Sequence, residues 1–433
     1  MKEIYIESRG LGTYRETLSE ILFSIFLFLL SKSNYLIGLT IFGIWVLWTT
    51  ISHQKLIISR TLLPLTLIWI IGILSNLVSG TGLNVNLVRD IAYFIRPIVI
   101  IYAGTILAWE TRNLNLERTL RISLRVLIEY SLLCALSNFA LIIMNFPKIL
   151  ANFSFNELRS AMGSSDDIIM IGFSLLLFSG RFLQQPLFGK KSKGFINLIF
   201  LVNLIISMSR TKIVIFLIAF LTLTIFERSH YFNLKSALRG PFVLLSVVIF
   251  LWIMYKIGIL NTFIDKIINS ATEINSNSDW NTYRNIVHDW RGYENYVGEN
   301  QFSEFSFANK IFGMGFGTLI PVQHSDLVGI PLTNNGIIVL HNGYLTILIK
   351  TGLLGLVLYF LYFLHLLYIS IKRVNLNRVE SIIIISCSLV ILVNTVTTTG
   401  LFKSIFSLGI LLVLGYFSGR IFYSDSKKDR TIN

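Results

Sequence analysis

Long runs of Leu, Ile, Phe and Val alternate along the chain with short polar stretches. Each run approaches the ~20 residues a helix needs to cross about 30 Å of hydrocarbon. A helix also satisfies its own backbone there, where water is absent. The pattern predicts twelve spanning helices, at about 17–31, 34–51, 61–79, 91–109, 121–145, 166–180, 195–208, 211–226, 241–260, 353–371, 379–397 and 402–420. The first, ILFSIFLFLL, resembles a signal-peptide core. SKSNYL follows it in place of a small-residue cleavage site, so it reads as a retained helix. The organisation expected is helices one to nine over 1–260, a large loop with a histidine-bearing helix over 261–352, and helices ten to twelve with a tail over 353–433.

The interval 261–335 breaks the apolar rhythm and is net acidic. NTFIDKIINSATEI places Phe263, Ile267, Ile268, Ala271 and Ile274 on one helical face. DWNTYRNIVHDWRGYENYV does the same with Trp280, Tyr283, Val287, Trp290 and Val297. Arg284, His288 and Arg291 share its other face. Both read as amphipathic helices lying on the membrane or capping the bundle. GENQFSEFSFANKIFGMGFG reads as loop, with aromatics suited to an interface. After it, HNGYLTILIKTGLLG predicts a helix that runs to Gly352 and restarts as helix ten.

Composition agrees with a chain dissolved in lipid. Of 433 residues, 54% are hydrophobic and 14% charged, against about 25% charged in soluble domains. This excludes disordered and disulfide-framework classes. The two cysteines, Cys134 and Cys387, lie inside apolar runs. The formal net charge is +14, which taken alone could suggest nucleic acid. Position decides otherwise. With the N-terminus inside, the inner stretches hold Arg112, Arg118, Arg121 and Arg125, Lys190, Lys191 and Lys193, and Arg373 and Arg378, while the short outer loops hold few cations. The positive-inside rule therefore predicts a multi-pass membrane protein with both termini in the cytoplasm, and no nucleic-acid partner.

Ionisable groups in or at a bilayer are functional suspects. Arg89 and Arg96 flank and enter helix four, seven residues apart on one face. Arg210 and Lys212 sit in the MSRTK turn, and Arg284 leads YRNIVHDW. Each arginine fits a diphosphate-binding role or simple snorkelling to headgroups. His341 could serve as a general base near neutral pH, or as a structural interface histidine. His288 is a rival base. Asn342 is placed to cap the helix that follows, with Tyr344 on the same face as His341. GMGFG imitates a phosphate loop but follows no strand. Ser165-Asp166-Asp167 reads as a helix cap.

SRT at 209–211, YR-x5-W at 283–290, GMGFG at 313–317 and HNGYLTILIKTGLLG at 341–355 stand in an order that resembles the O-antigen polymerase and O-antigen ligase superfamily. The resemblance implies an all-α, GT-C-like glycosyltransferase of the bacterial cytoplasmic (inner) membrane. It implies a periplasmic active site and undecaprenyl-diphosphate-linked oligosaccharides as donor and acceptor. Arg210, Arg284 and His341 take the positions of the family's two arginines and histidine. Arg89, Arg96, Asn342, Tyr344, Arg291 and His288 are the surrounding binding candidates. No cofactor or metal is expected, since arginine supplies the positive charge. A chain-length regulator is the expected protein partner, beside membrane lipids. Gly343 and Lys350 depart from the ligase pattern, which often has acidic residues there. The Phe-rich loop and GMGFG lean towards a repeat-unit polymerase. A flippase is the rival from another class, although no similar halves are visible.

Overall fold

The computed structural model describes residues 21–26, 35–53, 60–79, 82, 84–111, 116–151, 161–162, 166–183, 185–207, 209–227, 280, 282–323, 336–402 and 408–428. The described helices are α1 (Tyr35–His53), α2 (Leu63–Ser79), α3 (Val85–Glu110), α4 (Leu116–Met144), α5 (Phe146–Ala151), α6 (Asp166–Phe182), α7 (Lys190–Ser207), α8 (Arg210–Glu227), α9 (Tyr283–His288), α10 (Trp290–Ser303), α11 (Phe307–Phe312), α12 (Gly343–Arg373), α13 (Arg378–Thr397) and α14 (Leu408–Lys428). Among the described residues, five helices are long and apolar enough to cross a membrane: Arg60–Ser79, Val85–Glu110, Glu117–Met144, Gly343–Arg373 and Arg378–Val396. Thr40–Ser52, Asp167–Gly180, Thr211–Phe226 and Leu408–Tyr423 are shorter apolar helices. This all-helical architecture fits a multi-pass membrane protein.

Predicted spans and observed helices differ in places. The expected span 241–260 and the helix over NTFIDKIINSATEI lie outside the described residues, and only 21–26 of the first span are described, as helix. Helix four starts earlier than hydropathy suggested. Asn84 caps it, its Oδ1 accepting from Leu87 N at 2.7 Å, so Arg89 lies inside α3. The last span is displaced: Gly400–Phe402 form a separate 3-10 turn, and α14 runs from Leu408 to Lys428. DWNTYRNIVHDWRGYENYV is two helices, broken at Asp289 (φ −115°, ψ 44°). Its buried face carries Ile286, Trp290 and Tyr293, leaving Tyr283 and Val287 exposed. The stretch read as loop is largely helical: α10 continues to Ser303, and Ser306 caps α11, its Oγ accepting from Asn309 N.

Hydrogen bonds between helix termini define the two ends of the bundle. At one end Arg373 Nη1 donates to Ile421 O (2.9 Å), and Arg378 Nη2 donates to Phe226 O (2.8 Å). Arg420 lies 3.5 Å from Glu380, both buried, at this same end. At the other end Gly343 N donates to Thr398 O (3.3 Å), joining the start of α12 to the end of α13. Helix α8 finishes at the first end, at Phe226. Its 18 residues, about 27 Å at 1.5 Å per residue, carry its first residue, Arg210, to the second end. Arg210 and His341 therefore share one end of the bundle.

Small residues let α3 and α14 approach closely. A Cβ on Gly104 would stand 2.5 Å from Leu412 O, and one on Gly415 would stand 2.1 Å from Ile101 O. Gly419 lies over Ala108 and Thr105. In lipid, association between helices depends on such packing, because the surrounding tails are as apolar as the side chains. Gly415→Leu is expected to cost at least about 2 kcal/mol through overpacking. Thermal unfolding in detergent checks it; an unchanged midpoint would show that this contact is not tight.

A glycine-rich knot fixes the histidine helix against the bundle. Gly352 takes φ 67° and ψ −169° inside α12, so the expected break there is present. The break exposes carbonyls of the preceding turn. Met314 N donates to Ile349 O (2.9 Å) and Gly315 N to Lys350 O (3.0 Å). Helix α2 holds the same loop: Phe316 N donates to Gly72 O (2.8 Å), Ser75 Oγ to Phe312 O (2.7 Å) and Asn76 Nδ2 to Phe316 O (2.6 Å). Lys350 Nζ reaches Asp90 Oδ2 at 2.5 Å and also donates to Thr318 O, while Gly317 N donates to Asp90 Oδ2 at 2.6 Å. Both side chains of the ion pair are fully buried. GMGFG thus works as a clasp between α2, α3 and α12, which accounts for its phosphate-loop appearance.

Candidate functional site

A small apolar layer sits over the first turns of α12. Ile286, Trp290, Tyr293, Ile320, Val322, Ile337, Leu340, Leu345 and Ile349 form one buried cluster. Ile320 and Ile337 exchange backbone hydrogen bonds as an isolated antiparallel bridge. Burial of this surface, worth about 25 cal/mol per Å², seats α9 and α10 on the histidine helix. Burial also pushes the Tyr293 phenol above its ordinary value, so it stays protonated.

Within this layer a carboxylate grips the histidine. Glu294 Oε2 and Oε1 lie 2.9 and 3.0 Å from His341 Nδ1, and His341 N–H donates to Oε2 at 3.0 Å. Trp290 Nε1, one turn earlier on α10, donates to Glu294 Oε1 at 2.7 Å. The Glu294 side chain is 1% exposed and the His341 side chain 42%. One edge of the imidazole is therefore fixed from inside while part of the ring stays open to the outside. The sequence reading named neither Glu294 nor Trp290 as site residues. The available signal was an acidic residue on the buried stripe of α10, four positions after a tryptophan.

The other candidates fall into distinct settings. Arg284 is exposed on α9, whose Ile286 belongs to the layer above. Arg291 is half-buried on α10. Arg210 begins α8, behind the buried Ser209, whose carbonyl accepts from Ile213 N at 3.2 Å. The side chains of Arg210 and His288 lie outside the described residues. Arg89 is exposed near the start of α3, while Arg96 is buried deeper, its guanidinium 5.0 Å from the Tyr93 ring centroid. Asn342 caps α12, accepting from Tyr344 N (3.1 Å) and Leu345 N (3.3 Å). The Tyr344 hydroxyl donates to Leu392 O (2.9 Å), which ties it to α13, and its ring stacks on Phe360 of its own helix. Lys212 is buried, with Nζ 3.3 Å from Asn203 Oδ1.

The two departures from the ligase pattern have local causes. A side chain at Gly343 would meet Thr395 Cγ2 at 2.9 Å and the Thr399 backbone at 3.0 Å, so the α12–α13 junction has no room for one. Lys350 is the partner of Asp90 in the clasp.

Residues 195–360 match the family model described as O-antigen ligase. The matched span begins inside α7, ends inside α12, and contains Arg210, Arg284, Glu294 and His341. It supports the O-antigen ligase and polymerase superfamily, whose members are glycosyltransferase-like enzymes, without separating polymerase from ligase. No curated protein and no solved structure matches the chain.

Proposed function

We propose that this protein joins undecaprenyl-diphosphate-linked oligosaccharide repeat units into O-antigen or a similar surface polysaccharide. The observation that carries the reading is His341, held on one edge by a buried carboxylate and half-exposed in a layer whose surface also carries Arg284. Arg210 begins its helix at the same end of the bundle. In the reaction, an acceptor hydroxyl attacks the anomeric carbon of the donor. The C–O bond to the diphosphate breaks, and undecaprenyl diphosphate leaves with the electron pair. The hydroxyl proton passes to His341. Arg284 and Arg210 bind the diphosphate bidentately and stabilise its charge as the bond breaks. Guanidinium groups supply the positive charge, so the scheme uses no metal. The distribution of Lys and Arg supports a periplasmic site and a cytoplasmic opposite end, where Arg373, Arg378 and Arg420 cluster.

A ligase reading has one specific support, the description of the matched family. Glycan banding on gels separates the two. Cells lacking the protein are complemented with wild type, Arg284→Ala or Arg210→Ala. Core carrying a single repeat in place of a ladder, unrescued by either variant, is expected for the polymerase. Naked core with polymer accumulating on the carrier would make it a ligase. Normal ladders from both variants would remove the arginines from the site.

A further inference from the structure

We infer that Glu294 is a positioning residue that sets the proton arrangement of His341, and so decides which ring nitrogen receives the acceptor proton. The inference deepens the reading above and rests on it. An ionised carboxylate can only accept hydrogen bonds. Glu294 accepts from two fixed donors, Trp290 Nε1–H on Oε1 and the His341 backbone N–H on Oε2, and both of its oxygens face His341 Nδ1, which must supply a proton to them. The proton of a neutral imidazole then sits on Nδ1, and the lone pair sits on Nε2. Nε2 is the atom that takes the hydroxyl proton, and the carboxylate stabilises the imidazolium that results. This is the general logic of a base oriented by a third group.

The arrangement makes glutamine a sharp probe. Glutamine keeps the size of Glu294 but offers one oxygen and one NH₂. Trp290 Nε1 and the His341 backbone N–H contact different oxygens, so one of them would face the amide NH₂. If that NH₂ also faces Nδ1, the ring proton moves to Nε2 and the base is lost. Trp290→Phe keeps an aromatic ring in the buried cluster and removes the N–H donated to Oε1, together with part of the indole's volume, so it is read through kcat on folded protein.

The test uses the full-length protein in detergent or nanodiscs. Its substrate is the lipid-linked repeat unit extracted from cells lacking the protein. Glu294→Gln is expected to lower kcat about 100-fold or more, within the range of general-base effects, with KM within about threefold of wild type. In a His341→Ala background it should add almost nothing, because residues that act as one unit are not additive. Trp290→Phe should lower kcat several-fold, again with little change in KM, and this variant decides the matter if Glu294→Gln does not fold. Loss of activity that multiplies with that of His341→Ala would overturn the inference, showing that Glu294 acts on its own. Wild-type kcat in Glu294→Gln, or in Trp290→Phe if only that variant folds, would overturn it too, while an inactive His341→Ala would leave the function intact. A fully active His341→Ala would remove the parent reading itself.

Discussion

Lys350→Met is expected to destabilise the protein by about 3 to 5 kcal/mol, the usual consequence of stranding one member of a buried ion pair. Asp90 is fully buried, and Lys350 is its cation at 2.5 Å. Methionine fills much of the lysine's volume, so the loss reflects charge more than packing. It also removes the donor to Thr318 O. The partner substitution gives the argument its edge. Asp90→Asn together with Lys350→Met leaves both sides neutral, and the asparagine oxygen can still accept from Gly317 N. That double variant should recover more than half of the lost stability. Thermal unfolding in detergent measures both. A wild-type midpoint in Lys350→Met, or no recovery in the double variant, would show that charge pairing does not hold the clasp.

Gly315→Ala should be comparably damaging, at about 2 to 6 kcal/mol, for a different reason. Gly315 has φ 86°, a conformation that costs an L-residue about 1–3 kcal/mol. Its Cβ would also stand 2.0 Å from Asn76 N and 2.4 Å from Asn76 Cα. These are backbone atoms of α2, and they cannot retreat without disturbing the bonds from Phe316 N to Gly72 O and from Asn76 Nδ2 to Phe316 O. The overpacking adds about 1–3 kcal/mol. Gly43 in α1 is the control, because a Cβ there meets nothing within 4 Å. Gly43→Ala should be neutral or slightly stabilising, since alanine is the better helix former. Similar unfolding temperatures for the two alanine variants would contradict the described clasp.

These two positions also show what a sequence can hide. GMGFG was conspicuous, but its glycines gave no hint of the helix they touch. Their partners are Gly72, Ser75 and Asn76 of α2, more than two hundred residues earlier. In the sequence, Asp90 is simply the neighbour of a candidate cation, Arg89. Burial reverses the emphasis: Arg89 is exposed and Asp90 faces the clasp. Glu294 is hidden in the same way. On a helix taken for amphipathic, a glutamate counts as solvated until something is shown to cover it. The buried stripe keeps Trp290 and Val297 but takes in Ile286 and Tyr293 in place of Tyr283 and Val287, a choice made by what α9 and α10 pack against.

The sequence by itself marked the long apolar helices, the break at Gly352 and the cap at Asn342. All are local: twenty apolar residues must satisfy their own backbone in lipid, a glycine followed by renewed hydropathy permits an interruption, and a short polar side chain can bond free N–H groups beside it. It also marked His341, Arg284 and Arg210 as candidates by their types and order. Tertiary structure alone decided that GMGFG clasps α2, α3 and α12, that Lys350 pairs with Asp90, and that the Glu294 carboxylate lies against His341. Each of these joins residues far apart in the chain. Such pairings are chosen by which buried charges and donors must be satisfied once the helices pack, a condition no single segment contains.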